Sequence, residues 1–288
     1  METEKKYKKE LINHLECTFD QIYLYWKGRV ALTAILKSMK IGENDEVIVQ
    51  AFTCVVVVNA IIYQGAVPVF TDIDSNSLNS SVNQIKKSIT AKTKAIILQN
   101  TFGLSTDVDK IVDIAKSKNI YVIEDCTHGF GGTYEGHKNG FFADASFYSS
   151  QWNKPFSTGL GGIAVVRNTQ LQNRINEINK TLLHPTKKDI FSLQILIFIR
   201  HNFVNSFTFW KLVKIYRWLS KYNLILGSSS GEEINGIIEP IDYFKRKSEF
   251  QMKIGLKALS KFNNLTTLRK QNANTYHKFL LKKKKTLL

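Results

Sequence analysis

Short apolar runs alternate with amphipathic stretches between residues 28 and 167 of this 288-residue chain. Three stretches, 28–40, 53–63 and 107–118, have the apolar pattern of a helix. Runs of strand length lie between and after them, at Glu46–Gln50, Val67–Thr71, 95–99, 121–124, 146–148 and Gly162–Val166. Strands that alternate with helices in this way predict an α/β fold, with a mostly parallel central sheet flanked by helices.

A long apolar and aromatic segment, 190–226, interrupts this alternation. Its uninterrupted apolar run ends at Arg200, far short of the ~20 residues that a helix needs to span a bilayer. Four basic residues then fall on one helical arc: Lys211, Lys214, Arg217 and Lys221. A basic amphipathic helix of this kind can make peripheral contact with an anionic membrane surface. Packing against the core or against a partner subunit is the favoured interpretation. After this segment, 246–268 is again predicted to be helical.

The composition, 43% hydrophobic and 22% charged, is that of an ordinary globular protein. A net charge of +16 raises the question of nucleic-acid binding. However, the excess is mostly lysine scattered along the chain and no nucleic-acid-binding motif accompanies it, so we expect no nucleic acid as a partner. The three cysteines form no CxxC pair, and the charged first ten residues lack the apolar stretch of a signal peptide. These features predict a cytoplasmic protein.

The candidate chemistry lies where strands end, because α/β sheets bind ligands outside the carboxyl ends of their strands. Asp125 closes a buried apolar strand, and Lys154 follows in the glycine-rich stretch SSQWNKPFSTGLGG. Alone, the aspartate could cap a loop or bind a metal, and the lysine could be an exposed loop residue. No His, Cys or Asp cluster with metal-ligand spacing surrounds Asp125, so no metal site is predicted.

Together, a strand-end aspartate, upstream serines and a lysine on a glycine-rich turn are the set that pyridoxal-phosphate chemistry needs. The lysine forms a Schiff base with the cofactor and, once displaced, moves a proton. The aspartate keeps the pyridine nitrogen protonated, so that the ring withdraws electrons. The helix that begins after Gly28 offers its positive N-terminal end to the phosphate. The pattern therefore favours an enzyme that uses pyridoxal 5'-phosphate.

Several motifs between residues 28 and 167 resemble the DegT/DnrJ/StrS-type aminotransferases, which aminate keto sugars attached to nucleotides. They occur in the family's order, as GRVAL, ENDEVIVQAFTC, TKAIILQNTFG, EDCTHGFGG (the family's EDAAQ) and SSQWNKPFSTGLGG (the family's SF-x-x-x-K loop). Further on, RKSEFQMKIGL resembles the family's R-M-x-x-x-Q-x-x-x-GL helix. The resemblance covers about 28 to 268 and is weakest across 180–240. It implies the fold type I of pyridoxal-phosphate-dependent transferases.

The resemblance assigns roles to particular residues. Lys154 matches the Schiff-base lysine, and Asp125 the partner of the pyridine nitrogen. The remaining expected cofactor contacts are Gly28, Arg29 and Val30 of the phosphate-binding turn, Cys54 on the face of the ring, His128 beside the 3-hydroxyl, and Ser149 on the phosphate. For His128, a core histidine satisfied by its neighbours is a nearly equal alternative.

Three positions depart from the family's pattern. Arg29 replaces the usual Thr or Ser, so a guanidinium stands where a hydroxyl contacts the phosphate. Cys54 replaces an aromatic ring and offers less stacking area. Phe244 replaces an Asn that often reaches the phosphate across the dimer interface. These changes indicate a divergent branch of the family.

The resemblance also implies a division of the chain. Residues 1–27 are expected to form a helical lead-in, 28–180 the large cofactor-binding domain, and 181–240 a helical insertion or linker. Family members continue well beyond the GL helix, so 241–288 would be only the start of a small C-terminal domain, truncated here.

The implied function is transfer of an amino group, from glutamate, to a nucleotide-linked keto sugar for polysaccharide or amino-sugar biosynthesis, by a homodimer. Two alternatives stay open. The chain could bind the cofactor without turnover, as an inactive or regulatory homologue. It could also be a basic surface-binding module, built on 190–226 and the lysine-rich end.

Overall fold

The computed structural model describes residues 2–222, 225–227 and 237–287. Its strands are β1 (Ile22–Tyr25), β2 (Glu46–Gln50), β3 (Val67–Thr71), β4 (Thr93–Gln99), β5 (Tyr121–Asp125), β6 (Thr133–Tyr134), β7 (His137–Lys138), β8 (Ala145–Ser149) and β9 (Gly162–Val166). Seven of them form one sheet in the order β1-β9-β8-β5-β4-β2-β3, and β6 and β7 form a separate hairpin.

Five neighbouring strands of the main sheet, β8-β5-β4-β2-β3, run parallel. At the other edge β9 pairs antiparallel with β8, and β1 pairs antiparallel with β9. The predicted α/β fold with a mostly parallel sheet is confirmed. Every strand predicted from the sequence is present, and β5 extends one residue beyond its predicted end so that Asp125 is its last residue.

Helices flank the sheet. They are α1 (Glu2–Leu15), α2 (Gly28–Ser38), α3 (Val55–Ile62), α4 (Val82–Ser88), α5 (Val108–Lys116), α6 (Thr169–Asn179), α7 (Lys187–Asn202), α8 (Phe209–Lys221), α9 (Glu249–Leu259) and α10 (Phe262–Leu287). Every residue of α2 except Lys37 is buried, because the helix lies between strands β8 and β9 and the helices α3 and α6. The sequence of α2 is mostly apolar, with Thr33 and Ser38 as small buried polar residues, which matches that position.

The two faces of β8 belong to different apolar clusters, because successive side chains of a strand point to opposite sides. Phe147 packs in the cluster that contains α2. Tyr148 packs on the other face with Tyr7 of α1 and Met252 of α9. This second layer joins the beginning of the chain to its last third.

Two parts of the structure differ from the sequence-based predictions. Within the predicted helical lead-in, Ile22–Tyr25 forms the edge strand β1. The stretch 246–268, which was predicted to be helical, is helical over Glu249–Leu259 and again from Phe262, with a break between the two helices. The helix α9 begins only at Glu249, because Ser248 caps it: Ser248 Oγ accepts from the Gln251 N–H at 3.2 Å, and Gln251 Oε1 accepts from the Ser248 N–H at 2.8 Å.

The break before α10 is fixed by Phe262. This side chain is buried, with its ring 5.1 Å from that of Phe130, and any Cβ at Gly131 would lie 2.6 Å from it. Beyond Phe262, α10 has little contact with the rest of the chain. Tyr276 is 71% exposed and Leu280 64% exposed.

The described part of the segment 190–226 contains all but the first three residues of α7 and the whole of α8. None of the helices in the described part of the chain is long and apolar enough to cross a membrane. The inner side of α7 contacts the sheet layer through Leu193, which is fully buried with Trp26 and Leu160. The outer side of this helix and most of α8 are exposed.

Candidate active site

The carboxyl ends of the adjacent parallel strands β5 and β8 bring Asp125 and Ser149 to one edge of the sheet. Asp125 is in register with Phe147, two residues before Ser149. Cys54 follows β2 at the same edge, as the residue that precedes α3. These three residues therefore lie at the edge where the rule that ligands bind at strand ends places a site.

Gly28 and Ser149 form a close contact at the start of α2. A Cβ at position 28 would lie 2.9 Å from Ser149 Cβ and 3.2 Å from its Oγ, so this approach requires glycine. The first N–H groups of a helix have no acceptor inside the helix, and its N-terminus carries a partial positive charge. A hydroxyl beside that helix end makes a cradle that fits a phosphate group.

The other two residues of the predicted phosphate turn are buried. Val30 is fully buried and its side chain packs in the α2 cluster, so only its backbone N–H could contact a ligand. Arg29 is 8% exposed.

Asp125 is 3% exposed, and burial raises the pKa of its carboxyl. Three interactions oppose that effect by stabilising the carboxylate. The Thr127 N–H donates to Asp125 Oδ1 at 2.9 Å, the Thr127 side chain donates a second hydrogen bond, and the positive charge of Lys154 is near. A buried carboxylate of this kind suits a cationic hydrogen-bond donor, such as a protonated ring nitrogen.

Lys154 lies half-buried in the loop between β8 and β9. The loop is closed by backbone hydrogen bonds from Thr158 N–H to Ser150 O at 2.8 Å and from Ser150 N–H to Gly161 O at 2.9 Å. Burial lowers the pKa of the Lys154 amine, while Asp125 and, to a smaller extent, Cys54 raise it. A lysine with a lowered pKa is a better nucleophile and proton carrier at neutral pH.

His128 follows the same strand as Asp125. Its ring is parallel to that of Phe102 within 6°, with the centroids 6.2 Å apart. Burial lowers the pKa of His128, and the charge of Lys154 lowers it further. The neutral imidazole is therefore favoured beside the lysine. The structure thus places Asp125, His128, Cys54 and Lys154 in one electrostatic neighbourhood, with Gly28 and Ser149 in contact at the end of β8.

Two residues of this region were missed by the sequence reasoning. Thr127 supplies the N–H that holds Asp125. Phe102 carries the ring against His128 and has a left-handed backbone, with φ 53°. The motif TKAIILQNTFG contains Phe102 just before a glycine, which is the only signal that the sequence offers for it.

Lys247 was also missed. It is 4% exposed, and its Nζ donates to Ser150 Oγ at 3.2 Å and to Thr158 Oγ1 at 3.4 Å. It occupies the Met position of the family's R-M-x-x-x-Q pattern, and Ser150 occupies the Phe position of SF-x-x-x-K. Both residues thus differ from the family's pattern, and in the structure they contact each other at the base of the loop that carries Lys154. Burial lowers the pKa of Lys247 from 10.5 to about 7.

The helix α7 packs on the same loop. A terminal nitrogen of Arg200 donates to the Trp152 carbonyl at 3.1 Å, with the guanidinium 5.4 Å from the Trp152 ring. A Cβ at Gly159 would lie 2.7 Å from Leu193 Cδ1. The helix α7 therefore supports the loop that carries Lys154.

Comparison with known proteins bears on this site. The sequence model of the DegT/DnrJ/EryC1/StrS aminotransferase family matches residues 26–197, a range that includes each of the predicted site residues. This chain belongs to that family. The family's cofactor is pyridoxal phosphate, and a protein of the same fold, Spr1654 from Streptococcus pneumoniae, is known in pyridoxal- and pyridoxamine-phosphate forms.

Individual relatives cover part of the chain. The GDP-perosamine synthase of Escherichia coli O157:H7 is 44% identical over 147 residues, which are 51% of this chain and 40% of that protein. The spore coat polysaccharide biosynthesis protein SpsC of Bacillus subtilis (strain 168) is 35% identical over 158 residues, 55% of this chain and 40% of that protein. The pyridoxamine-phosphate form of Spr1654 superposes with a TM-score of 0.69 at 23% identity, over 95% of this chain and 64% of that chain.

The matched region thus spans about 40% of the length of these two curated relatives. The site residues fit the family's cofactor on their own geometry. A buried carboxylate, a half-buried lysine of lowered pKa and a glycine-dependent phosphate cradle lie at one edge of the sheet.

Proposed function

We propose that this chain binds pyridoxal 5'-phosphate and transfers an amino group from glutamate to a nucleotide-linked keto sugar. The observation that carries the proposal is the electrostatic interaction of buried Asp125 with Lys154, at the sheet edge that also carries the Gly28–Ser149 cradle. The similarity to a GDP-perosamine synthase supports a nucleotide-linked sugar as the substrate class. The glutamate donor rests on the family resemblance.

Each site residue has a distinct task in this proposal. When bound, the cofactor supplies an electron-withdrawing ring that makes the exchange of an amino group between donor and sugar feasible. Asp125 would accept a hydrogen bond from the protonated ring nitrogen, and the hydrogen bond that the Thr127 N–H donates to Asp125 favours the charged carboxylate. Lys154 holds the cofactor and then moves a proton at its Nζ.

The phosphate would be held by backbone N–H groups at the start of α2 and by the Ser149 hydroxyl. His128, neutral and braced by Phe102, would donate to or accept from a polar substituent of the ring. Cys54 would lie against the ring face at the mouth of the site. Arg29 would contribute through its backbone N–H.

A homodimer is part of the proposal. Apolar side chains are exposed on the loops near the site and at the start of α3, with Phe52 48%, Val55 55%, Phe102 69% and Leu104 59% exposed. A second copy that covers them would remove apolar surface from water and exclude water from the cofactor.

The second candidate is a cofactor-binding homologue without turnover, and Phe244 favours it. The family resemblance places at this position an Asn that often contacts the phosphate across the dimer interface. Here the Phe244 ring lies 6.3 Å from that of Tyr25, with Lys37 Nζ 5.0 Å from its centroid, so it packs within its own chain.

A half-reaction separates the two candidates. The purified chain is loaded with pyridoxal phosphate and mixed with glutamate, and conversion to the pyridoxamine form is followed by absorbance. Conversion, followed by amination of a GDP-linked keto sugar detected by mass spectrometry, is the expected result. A chain that binds the cofactor but converts none of it with any amino donor would overturn the proposed activity in favour of the second candidate.

A further inference from the structure

The outer side of the α7–α8 hairpin exposes large aromatic side chains next to basic ones. The aromatic–basic surface is defined by Phe207, Trp210, Lys211, Lys214, Arg217 and Trp218, all of them exposed. Phe207 is 90% exposed, Trp210 67% and Trp218 58%. Such a concentration of exposed rings is unusual for a surface that faces only water.

The inner side of the hairpin already contacts the rest of the chain through α7. In α7, Leu193 is buried against the lysine loop, and Arg200 is held by Trp152. The aromatic–basic surface points elsewhere, because its residues on α8 recur at the three- and four-residue spacing of one helical side. It is therefore separate from the contacts that position Lys154.

The charge of this segment has one sign. Residues 190–231 contain five Lys or Arg and no Asp or Glu. A symmetric contact between two copies through this surface would place the same positive charges opposite each other, which is unfavourable. The expected occupant therefore carries negative charge and also accepts apolar rings.

An apolar cleft of about 440 Å³ opens between the end of α7 and the start of α8. Ile199, Phe203 and Leu212 line it, with Lys211 at its edge. Apolar volume beside a basic side chain matches an amphipathic ligand more closely than a nucleic acid, whose backbone offers charge without acyl chains.

We propose that the aromatic–basic surface binds the headgroup region of an anionic lipid bilayer. Trp210, Trp218 and Phe207 enter the interface between headgroups and acyl chains, where aromatic rings are favoured. Lys211, Lys214 and Arg217 contact anionic headgroups. The contacts between α7 and the loop that carries Lys154 lie on the other side of the hairpin. Lipid binding therefore holds the protein at the membrane and leaves those contacts in place.

The test is vesicle co-sedimentation of the full chain loaded with cofactor. One set of vesicles contains three parts phosphatidylcholine to one part phosphatidylglycerol, and the other contains phosphatidylcholine alone. Each basic side chain near an anionic surface strengthens binding roughly fivefold. We expect binding to the anionic vesicles, weakened by salt, and a blue shift of tryptophan fluorescence on binding.

Two triple variants separate this surface from net charge. Lys211→Gln/Lys214→Gln/Arg217→Gln should lower the partition coefficient roughly 100-fold. The matched control, Lys86→Gln/Lys87→Gln/Lys116→Gln, removes the same charge from exposed positions on α4 and α5 and should change it little. Thermal melts of both variants show that the fold is kept.

Three results would overturn the proposal. The first is equal vesicle binding by the two variants, and the second is no binding to anionic vesicles at low salt. The third is a loss of dimer, or of oligonucleotide binding, in the Lys211/Lys214/Arg217 variant while vesicle binding persists. That outcome would assign the surface to a second copy or to a nucleic acid.

Discussion

Replacing Lys247 by Met is predicted to stabilise the protein at neutral pH. Lys247 is 4% exposed, and within the described part of the chain its polar partners are the hydroxyls of Ser150 and Thr158 rather than a carboxylate. Burial lowers its pKa from 10.5 to about 7. Protonating Lys247 therefore costs more free energy in the folded chain than in the unfolded chain.

The direction follows from proton binding. Between pH 7 and 10.5 the unfolded chain keeps a proton on Lys247 that the folded chain has lost. The free energy of unfolding therefore rises with pH in that range, by at most about 1.4 kcal/mol per pH unit. This cost to stability is absent above the pKa of Lys247 in the unfolded chain and complete below its pKa in the folded chain. It amounts to about 4 kcal/mol at pH 7 and about 2 kcal/mol at pH 9.

Lys247→Met removes this penalty and leaves the two hydroxyls bonded, because Ser150 Oγ and Thr158 Oγ1 lie 2.7 Å apart and Thr158 Oγ1 also donates to Leu160 O at 2.6 Å. Urea unfolding of both proteins at pH 7 and pH 9, at fixed cofactor concentration, measures the effect. The free-energy gain of the variant should be larger at pH 7 than at pH 9 by about 2 kcal/mol.

The control is Lys257→Met, an exposed lysine on the helix α9 that follows Lys247, which should leave the pH dependence unchanged. Parallel pH dependences for the wild type and Lys247→Met would refute the reasoning, because they would mean that Lys247 does not titrate between its folded and unfolded values. A variant that is less stable at both pH values would show that the hydroxyl contacts outweigh the cost of burial.

Three further predictions concern the site. The Asp125→Asn variant should still bind cofactor, but its glutamate half-reaction, followed by stopped-flow absorbance, should be slower. The expected decrease in rate corresponds to about 3–5 kcal/mol of lost transition-state stabilisation. An unchanged rate would exclude the role of Asp125 at the ring nitrogen. Gly28→Ala should weaken cofactor binding at least tenfold in a fluorescence titration, since the new Cβ would lie 2.9 Å from Ser149 Cβ. Equal affinity would mean that the Gly28–Ser149 cradle does not bind the phosphate. Phe52→Ser/Phe102→Ser should shift the dimer towards monomer in light scattering, and an unaltered dimer would place the interface elsewhere.

The elements predicted correctly are those whose signal is local. Buried parallel strands such as β4 and β5 are continuous apolar runs, and Asp125 is visible as the polar residue that ends one of them. The strand β1 was missed because its pairing with β9 joins residues about 140 positions apart, as in Ile22 with Val165. Its four residues alone carry no register signal.

Contacts between residues far apart in the sequence could not be predicted either. Lys247 and Ser150 each differ from the family's pattern, but they are 97 positions apart and only the fold brings them together. The break between α9 and α10 depends on where Phe262 packs, which helical periodicity does not encode. The division of the chain into domains stays a prediction, as does the role of each site residue.

The central claim is that Lys154 is the residue that holds the cofactor. Borohydride reduction of the cofactor-loaded chain, followed by proteolysis and mass spectrometry, tests it directly, with Lys154→Arg and the exposed Lys116→Arg as paired variants. The account predicts a label on the peptide that contains Lys154, retained in Lys116→Arg and lost in Lys154→Arg. A label on any other lysine of the wild type, or one that persists in Lys154→Arg, would contradict it.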